Sequence, residues 1–157
     1  MKPKTALLVV LLSIASLSFA QSASTVDAVH SVEPADLAKQ LKTAKPLVFM
    51  VGPHTLYAQA HIPGAEFIGM TSQDEGRKSL QDRVKKVPKT QAIVLYCGCC
   101  PWDRCPNIAP AFNELTTLGY KNVRVLHIAQ NFGIDWMAKG FPVQKEAAAM
   151  AGKPGGK

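Results

Sequence analysis

Two uninterrupted runs of apolar residues dominate the pattern of hydrophobic and polar positions, at residues 47–51 (LVFMV) and 92–96 (AIVLY). Such runs are typical of strands that are buried on both faces of a parallel sheet. Shorter apolar patterns at residues 65–69 and 122–128 predict two further strands, each bounded by turn residues. The chain is therefore expected to build its core around a small sheet.

Amphipathic or polar segments alternate with these strands. Four of them predict helices, at residues 34–45, 74–87, 107–118 and 130–139. Pro34 fits the first turn of a helix, and Asn107 and Gly119 stand where an N-cap and a C′ residue are expected. The alternation predicts an α/β fold, with a central, mostly parallel sheet and helices on both faces.

The first twenty residues have the organisation of a secretory signal peptide. Lys2 and Lys4 precede a short apolar stretch, which closes on the small residues Ser18 and Ala20. This stretch is short for a membrane span, which needs about 20 apolar residues. We therefore expect a secreted protein, located in the bacterial periplasm, with no stable membrane insertion once the signal peptide at 1–20 is cleaved.

The rest of the chain is short enough to form one domain. Its predicted organisation is a flexible leader at 21–31, a domain at 32–144 and a disordered tail at 145–157. The full sequence carries a net charge of +7. Many of its basic residues lie on the predicted helix at 74–87 or just after it, with no aromatic side chains between them. That distribution indicates a solvated helix face and no nucleic-acid partner.

All four cysteines fall within nine consecutive residues, in a loop between a predicted strand and a predicted helix. They are Cys97, Cys99, Cys100 and Cys105. Ligands bind at the carboxyl ends of strands in parallel sheets, and backbone N–H groups at a helix N-terminus favour an anion such as a thiolate. A disulfide within so short a segment closes a small loop and stabilises little. The cluster is therefore interpreted as a chemical site.

Several segments match the motifs of one known family in order and spacing. They are Val32-Glu33-Pro34-Ala35-Asp36-Leu37, His61-Ile62-Pro63-Gly64-Ala65, Ile93-Val94-Leu95-Tyr96-Cys97, residues 118–126 and residues 136–143. On these motifs the chain resembles a rhodanese-like domain, with an enlarged, cysteine-rich active-site loop. The resemblance implies a sulfurtransferase in which Cys97 is the catalytic residue, accepting a sulfane sulfur as a persulfide and passing it on.

The resemblance also implies what surrounds the persulfide. The substrate is expected to bind against the loop residues Gly98, Cys99, Cys100, Trp102 and Arg104. Arg104 would hold an anionic group, since a guanidinium donates paired hydrogen bonds to oxyanions. The expected partners are a small-molecule or protein sulfur donor and a thiol acceptor, and this chemistry requires no cofactor.

The sequence leaves other uses of the same thiols open. Cys99, Cys100 or Cys105 could resolve a persulfide as a disulfide. Cys97 and Cys100 form a C-x-x-C pair, which suits reversible thiol–disulfide exchange without sulfur transfer. Cys97, Cys100 and Cys105 could instead converge on copper or zinc, because soft thiolates favour these metals. A non-catalytic interaction module, in which the thiols are incidental, is the fourth alternative.

Three histidines carry weaker signals. His61 is expected to be structural and to hold the turn at residues 63–64, whereas His54 and His127 lie at strand ends and could line the site. Trp136 is expected in the core.

Overall fold

A computed structural model of the chain describes residues 26–146, so the predicted signal peptide and most of the predicted tail lie outside the described residues. The strands are β1 (Ser31–Val32), β2 (Leu47–Met50), β3 (Glu66–Phe67), β4 (Ile93–Tyr96) and β5 (Val123–Leu126). The α-helices are α1 (Pro34–Thr43), α2 (His54–Gln59), α3 (Asp74–Val84) and α4 (Ile108–Thr117). Two 3-10 helices (Ala28–His30 and Trp102–Arg104) and a π-helix (Gly133–Met137) complete the secondary structure.

The five strands form one sheet in the order β1-β5-β4-β2-β3, and every pairing is parallel. β4 lies at the centre, with Leu47 to Met50 of β2 on one side and Val123 to Val125 of β5 on the other. All four of its residues are buried. The apolar runs thus form the interior of the sheet, and the predicted α/β fold with a parallel sheet is confirmed.

Helices cover both faces of the sheet. Phe49 and Leu95 pack toward α3 and α4, in a cluster that includes Leu80 and Leu115. Their strand neighbours point to the opposite face, where the cluster contains Leu37 of α1 and Trp136 of the π-helix. This alternation follows from the two-residue period of a strand. Within residues 26–146, no helix has the length and apolar composition that crossing a membrane requires.

The leader predicted as flexible at residues 21–31 is ordered in its described part. Val26 is buried in the core, a 3-10 helix spans Ala28–His30, and Ser31 begins β1 beside Val125 of β5. The structure also extends past residue 144, where the tail was predicted to be disordered. The Glu146 N–H donates to the Ala58 carbonyl at 3.2 Å. Burial of Val26 and pairing of β1 explain the order at the N-terminal end, and backbone hydrogen bonds explain the order at the other end.

Two helical segments differ from their predictions. The helix α2 was not predicted, because it is short, has no buried residue and follows the strand-breaking Gly52 and Pro53. The last predicted helix is reduced to the π-helix at Gly133–Met137. Its entry is fixed by the Asp135 carboxylate, which accepts hydrogen bonds from the N–H groups of Gln130 and Asn131 at 2.6 and 3.1 Å.

Candidate active site

Cys97 lies directly after the central strand β4, and its side chain is buried, with 3% exposed. The neighbouring chain segment after β2 runs alongside, since the Val51 N–H donates to the Tyr96 carbonyl at 2.8 Å. A Cβ atom on Gly52 would lie 2.8 Å from the Cys97 carbonyl oxygen and 2.9 Å from its Sγ. Glycine at position 52 is therefore what leaves room for the Cys97 thiol.

The loop after Cys97 gathers the four free thiols around one another. The Sγ of Cys97 lies 3.3 Å from that of Cys99, which in turn lies 3.0 Å from that of Cys100. The sulfurs of Cys97, Cys99 and Cys105 all lie within 4.8 Å of one another. The sequence predicted that Cys100 would join Cys97 and Cys105 in such a group. The structure instead places Cys99 there, with Cys100 beside it.

Asn107 is a functional candidate that sequence reasoning missed. It is buried at the start of α4, and its Nδ2 donates to the Cys97 Sγ at 3.6 Å. Its Oδ1 accepts from the Ser72 N–H at 3.0 Å, and its carbonyl accepts from the Thr71 hydroxyl at 2.5 Å. The side chain predicted to cap α4 therefore contacts the Cys97 sulfur instead, because Ser72 holds the amide in that orientation.

The other three thiols have raised pKa values. Burial, followed by a hydrogen bond with Cys100, raises the pKa of Cys99 to about 11. Burial is also the main reason why the pKa of Cys100 is raised. A hydrogen bond with Cys97, followed by burial, raises the pKa of Cys105. These three side chains are therefore neutral thiols near pH 7.

A cavity of about 510 Å³ opens beside the loop. Gly98 and Cys99 form its wall on the loop side, and Lys145 contributes a positive charge. The rest of the lining is mostly apolar and comes from β2, α2 and the π-helix region: Met50, Leu56, Gln59, Ala60, Asn131, Phe132, Gly133 and Met137. Cys99 lines this cavity, whereas Cys97 does not; the two sulfurs lie 3.3 Å apart.

Gly98 shapes this wall through its backbone. Its φ of +90° lies in the left-handed region that favours glycine. Its carbonyl accepts a hydrogen bond from the Phe132 N–H at 3.0 Å, which joins the loop to the segment before the π-helix. The cavity is thus bounded by two segments that are bonded to each other.

The structure places Arg104 and Trp102 away from the cavity. The side chain of Arg104 is 77% exposed, with its Nε 3.9 Å from the Asp103 carboxylate. Trp102 packs edge-on against His127, at a ring-centroid distance of 5.9 Å. Among the described residues, the cavity lining includes neither of them. The basic residue of that lining is Lys145, and nothing in the sequence pattern predicted a role for it in the site.

The histidines lie outside the thiol cluster. His61 is buried and its Nδ1 lies 2.8 Å from the Tyr57 carbonyl, so it is structural but bonds to α2 instead of the turn at 63–64. His54 pairs with Glu146 at 3.0 Å. His127 pairs with Glu33 at 2.6 Å and contacts Trp102 of the loop. None of these three is among the residues that line the described cavity.

Comparisons with known proteins agree with this architecture. No curated protein matches the chain. Among solved structures, a protein from Bacillus halodurans is similar with a TM-score of 0.57 at 23% identity, covering 74% of this chain and 77% of its own. The rhodanese-like domain of an Anabaena sp. protein has a TM-score of 0.53 at 20% identity, covering 82% and 86%. These two likenesses show the fold.

A further solved structure is the thiosulfate sulfurtransferase from Pseudomonas aeruginosa. It is 27% identical with a TM-score of 0.53, and the match covers 73% of this chain but only 19% of that longer protein. The family model of the rhodanese-like domain matches residues 33–128, which is more than half of the sequence and contains the whole thiol loop. The chain therefore belongs to the rhodanese-like domain family.

Proposed function

We propose that the chain is an exported sulfurtransferase that moves sulfane sulfur through a persulfide on Cys97. The observation that carries the proposal is the position of this thiol. It lies at the carboxyl end of the central strand, where parallel sheets bind ligands, and it accepts a hydrogen bond from buried Asn107. Membership of the rhodanese-like family and the likeness to a thiosulfate sulfurtransferase support the same reaction.

The reaction needs two displacements at sulfur. With thiosulfate as donor, the Cys97 thiolate attacks the outer sulfur, the S–S bond of thiosulfate breaks, and sulfite leaves with the electron pair. An acceptor such as cyanide then attacks the outer sulfur of the persulfide, giving thiocyanate and the Cys97 thiolate. The thiolate is the nucleophile in the first step and the leaving group in the second, so the protein is unchanged after a full cycle.

A thiosulfate and cyanide assay on the reduced protein tests the proposal. We expect thiocyanate from the natural chain and, after thiosulfate alone, a change in its mass, which is a gain of one sulfur atom at first and a loss of two hydrogen atoms once the persulfide is resolved. Cys97→Ser should show neither thiocyanate production nor a change in mass. The thermal unfolding of Cys97→Ser is compared with that of the natural chain, so that loss of activity is separated from loss of fold. Thiocyanate production by Cys97→Ser at the natural rate would overturn the assignment of the nucleophile.

Cys99 is best placed to resolve the persulfide. Its Sγ lies 3.3 Å from that of Cys97, and its side chain faces the cavity. Attack of Cys99 on the inner sulfur of Cys97–S–SH forms a Cys97–Cys99 disulfide and releases hydrogen sulfide. No external oxidant is needed, because the sulfane sulfur takes the two electrons. A thiol donor must then reduce the disulfide before the next turnover.

This resolving step predicts different products for two loop variants. After loading with thiosulfate, the natural chain releases sulfide and gains one disulfide, whereas Cys99→Ser keeps the extra sulfur atom on Cys97. Cys100→Ser is the matched control, because its thiol belongs to the same loop, 3.0 Å from that of Cys99, but does not line the cavity. Accumulation of persulfide in Cys100→Ser but not in Cys99→Ser would show that Cys100, and not Cys99, resolves the persulfide.

Export is proposed from the sequence of residues 1–20, which lie outside the described residues. Lys2 and Lys4, the apolar stretch and the small residues before Gln21 predict cleavage after Ala20. Expression of the full chain in a bacterium, followed by fractionation and mass measurement, tests this. A periplasmic protein that begins at Gln21 supports the proposal, and an uncleaved cytoplasmic protein contradicts it.

A further inference from the structure

We propose that Cys97, Cys99 and Cys105 form a binding site for a soft monovalent metal ion, Cu(I). The three sulfurs lie within 4.8 Å of one another, and Cys97 and Cys105 are both buried. This site goes beyond the proposed sulfur transfer, because coordination uses the thiols together and requires no sulfur donor.

The spacing of the sulfurs suits a single ion in the middle of the three. A metal–thiolate bond is about 2.3 Å long, so three thiolates around one ion lie about 4 Å apart in a plane. The sulfurs of Cys97 and Cys99 are 3.3 Å apart, and no pair exceeds 4.8 Å. Small side-chain rotations, which move each sulfur by a few tenths of an ångström, bring all three sulfurs to the required distance. The chain therefore has the site assembled before an ion arrives.

Backbone hydrogen bonds hold the loop that supplies these ligands. The Phe132 N–H donates to the Gly98 carbonyl at 3.0 Å, between Cys97 and Cys99. The Trp102 N–H donates to the Ile128 carbonyl at 2.9 Å, which anchors the 3-10 helix that precedes Cys105. Cys105 is itself only 5% exposed. The loop is consequently tied to the β5 side of the fold at two points, and its thiols converge without help from a metal.

The ligand set favours Cu(I) over zinc. Structural zinc sites are closed by four ligands in tetrahedral geometry. Within residues 26–146, the group of mutually close ligand atoms consists of these three sulfurs alone; the Cys100 sulfur lies 3.0 Å from that of Cys99 but is not part of the group. Thiolates are soft ligands and select Cu(I) among the common metals. Coordination forms three Cu–S bonds and releases the thiol protons to solvent, with no change in oxidation state. Copper on this site would also occupy the Cys97 sulfur that sulfur transfer uses.

Competition for Cu(I) tests the site in the reduced, metal-free full-length protein, without oxygen and without a sulfur donor. The probe is Cu(I) held by a coloured bidentate chelator, whose absorbance reports transfer of the ion. We expect one Cu(I) per chain. Cys99→Ser and Cys105→Ser should each weaken the affinity at least tenfold, while Cys100→Ser, the matched control, should change it less than twofold. Zn²⁺ under the same conditions should bind at least a hundredfold more weakly.

Circular dichroism of each metal-free variant shows whether its fold is kept, and a rise in unfolding temperature with one equivalent of Cu(I) gives a second readout. Either of two results would overturn the site: failure of the natural chain to take Cu(I) from the chelator, or equal affinity in all three variants. Tighter binding of Zn²⁺ than of Cu(I) would overturn the choice of metal. None of these readouts depends on sulfur transfer, so the two proposals fail or stand separately.

Discussion

At the scale of single residues, the Cys97 sulfur is positioned by two neighbours that are distant from it in sequence. Asn107 donates to it from the start of α4, and Gly52 leaves space for it beside β2. Cys97 itself, Gly98 and Cys99 could be identified from the sequence, because they follow an apolar strand. Asn107 and Gly52 could not, since their roles depend on which segments the sheet brings together.

Asn107→Asp should impair sulfur transfer without removing the contact to Ser72. The carboxylate keeps an acceptor for the Ser72 N–H but replaces the N–H donor at Cys97 with a negative charge, which disfavours the thiolate. We expect the rate of sulfur transfer at pH 7, measured as thiocyanate production, to fall about tenfold or more. The pH dependence of Cys97 alkylation by iodoacetamide should shift to higher pH.

Asn113→Asp is the matched control for this substitution. It adds the same charge to the same helix, but at an exposed position. If both variants shift the labelling profile equally, the effect is one of overall charge and Asn107 does not act on the sulfur.

Gly52→Ala should reduce both stability and activity. The added methyl group would lie under 3 Å from two atoms of Cys97, so one of the two segments must move. Overpacking of this kind costs about 1–3 kcal/mol of unfolding free energy. We expect sulfur transfer to fall at least tenfold at a temperature where the variant is still folded, as measured by thiocyanate production.

Gly64→Ala separates these two effects. Its φ of +78° makes a side chain strained, but nothing lies within 4 Å of the new methyl group. The cost should be about 1–2 kcal/mol, with activity retained. Equal loss of activity in both glycine variants would show that the Gly52 effect is general destabilisation.

At the scale of elements, the strands were predicted more accurately than the helices that complete the site. A buried parallel strand requires a continuous apolar run, so β2 and β4 are visible in sequence. The π-helix and α2 have no comparable signal, because they are short and held by tertiary hydrogen bonds. The turn before the π-helix depends on a single buried carboxylate, Asp135.

Asp135→Ala should loosen the π-helix and, through Phe132, the cavity wall at Gly98. Two backbone N–H groups, those of Gln130 and Asn131, lose their acceptor. Because Gln130 is exposed and Asn131 is half-buried, water can partly replace the lost acceptor, so the loss should be about 1 kcal/mol for each bond. Urea unfolding followed by tryptophan fluorescence measures the loss. Asp135→Asn keeps one acceptor oxygen and should lose clearly less stability, whereas equal losses would mean that packing, not these bonds, holds the turn.

At the scale of the whole molecule, the two ends of the described chain complete the fold. Residues 26–32 add the edge strand beside β5. The segment after Phe141 returns to the region of α2, where Gln144 pairs with His61, just after the helix. This return brings Lys145 to the cavity. The sequence pattern predicts a disordered tail that includes Lys145 and favours Arg104 as the anion-binding residue, because a loop arginine near a nucleophile is a local pattern. The position of Lys145 depends instead on long-range pairing.

Lys145→Gln should therefore weaken the use of an anionic donor more than Arg104→Gln does. We expect the KM for thiosulfate to rise about two- to fivefold, with little change in kcat. This rise corresponds to the loss of an exposed ion pair that contributes up to about 1 kcal/mol to binding. The effect should shrink as salt is added, since ions screen exposed charges. Lys139→Gln is the matched control, because it removes a charge from an exposed position outside the cavity lining. If Arg104→Gln raises the KM while Lys145→Gln does not, the donor binds on the outer side of the loop, and the cavity beside Cys99 receives the acceptor instead.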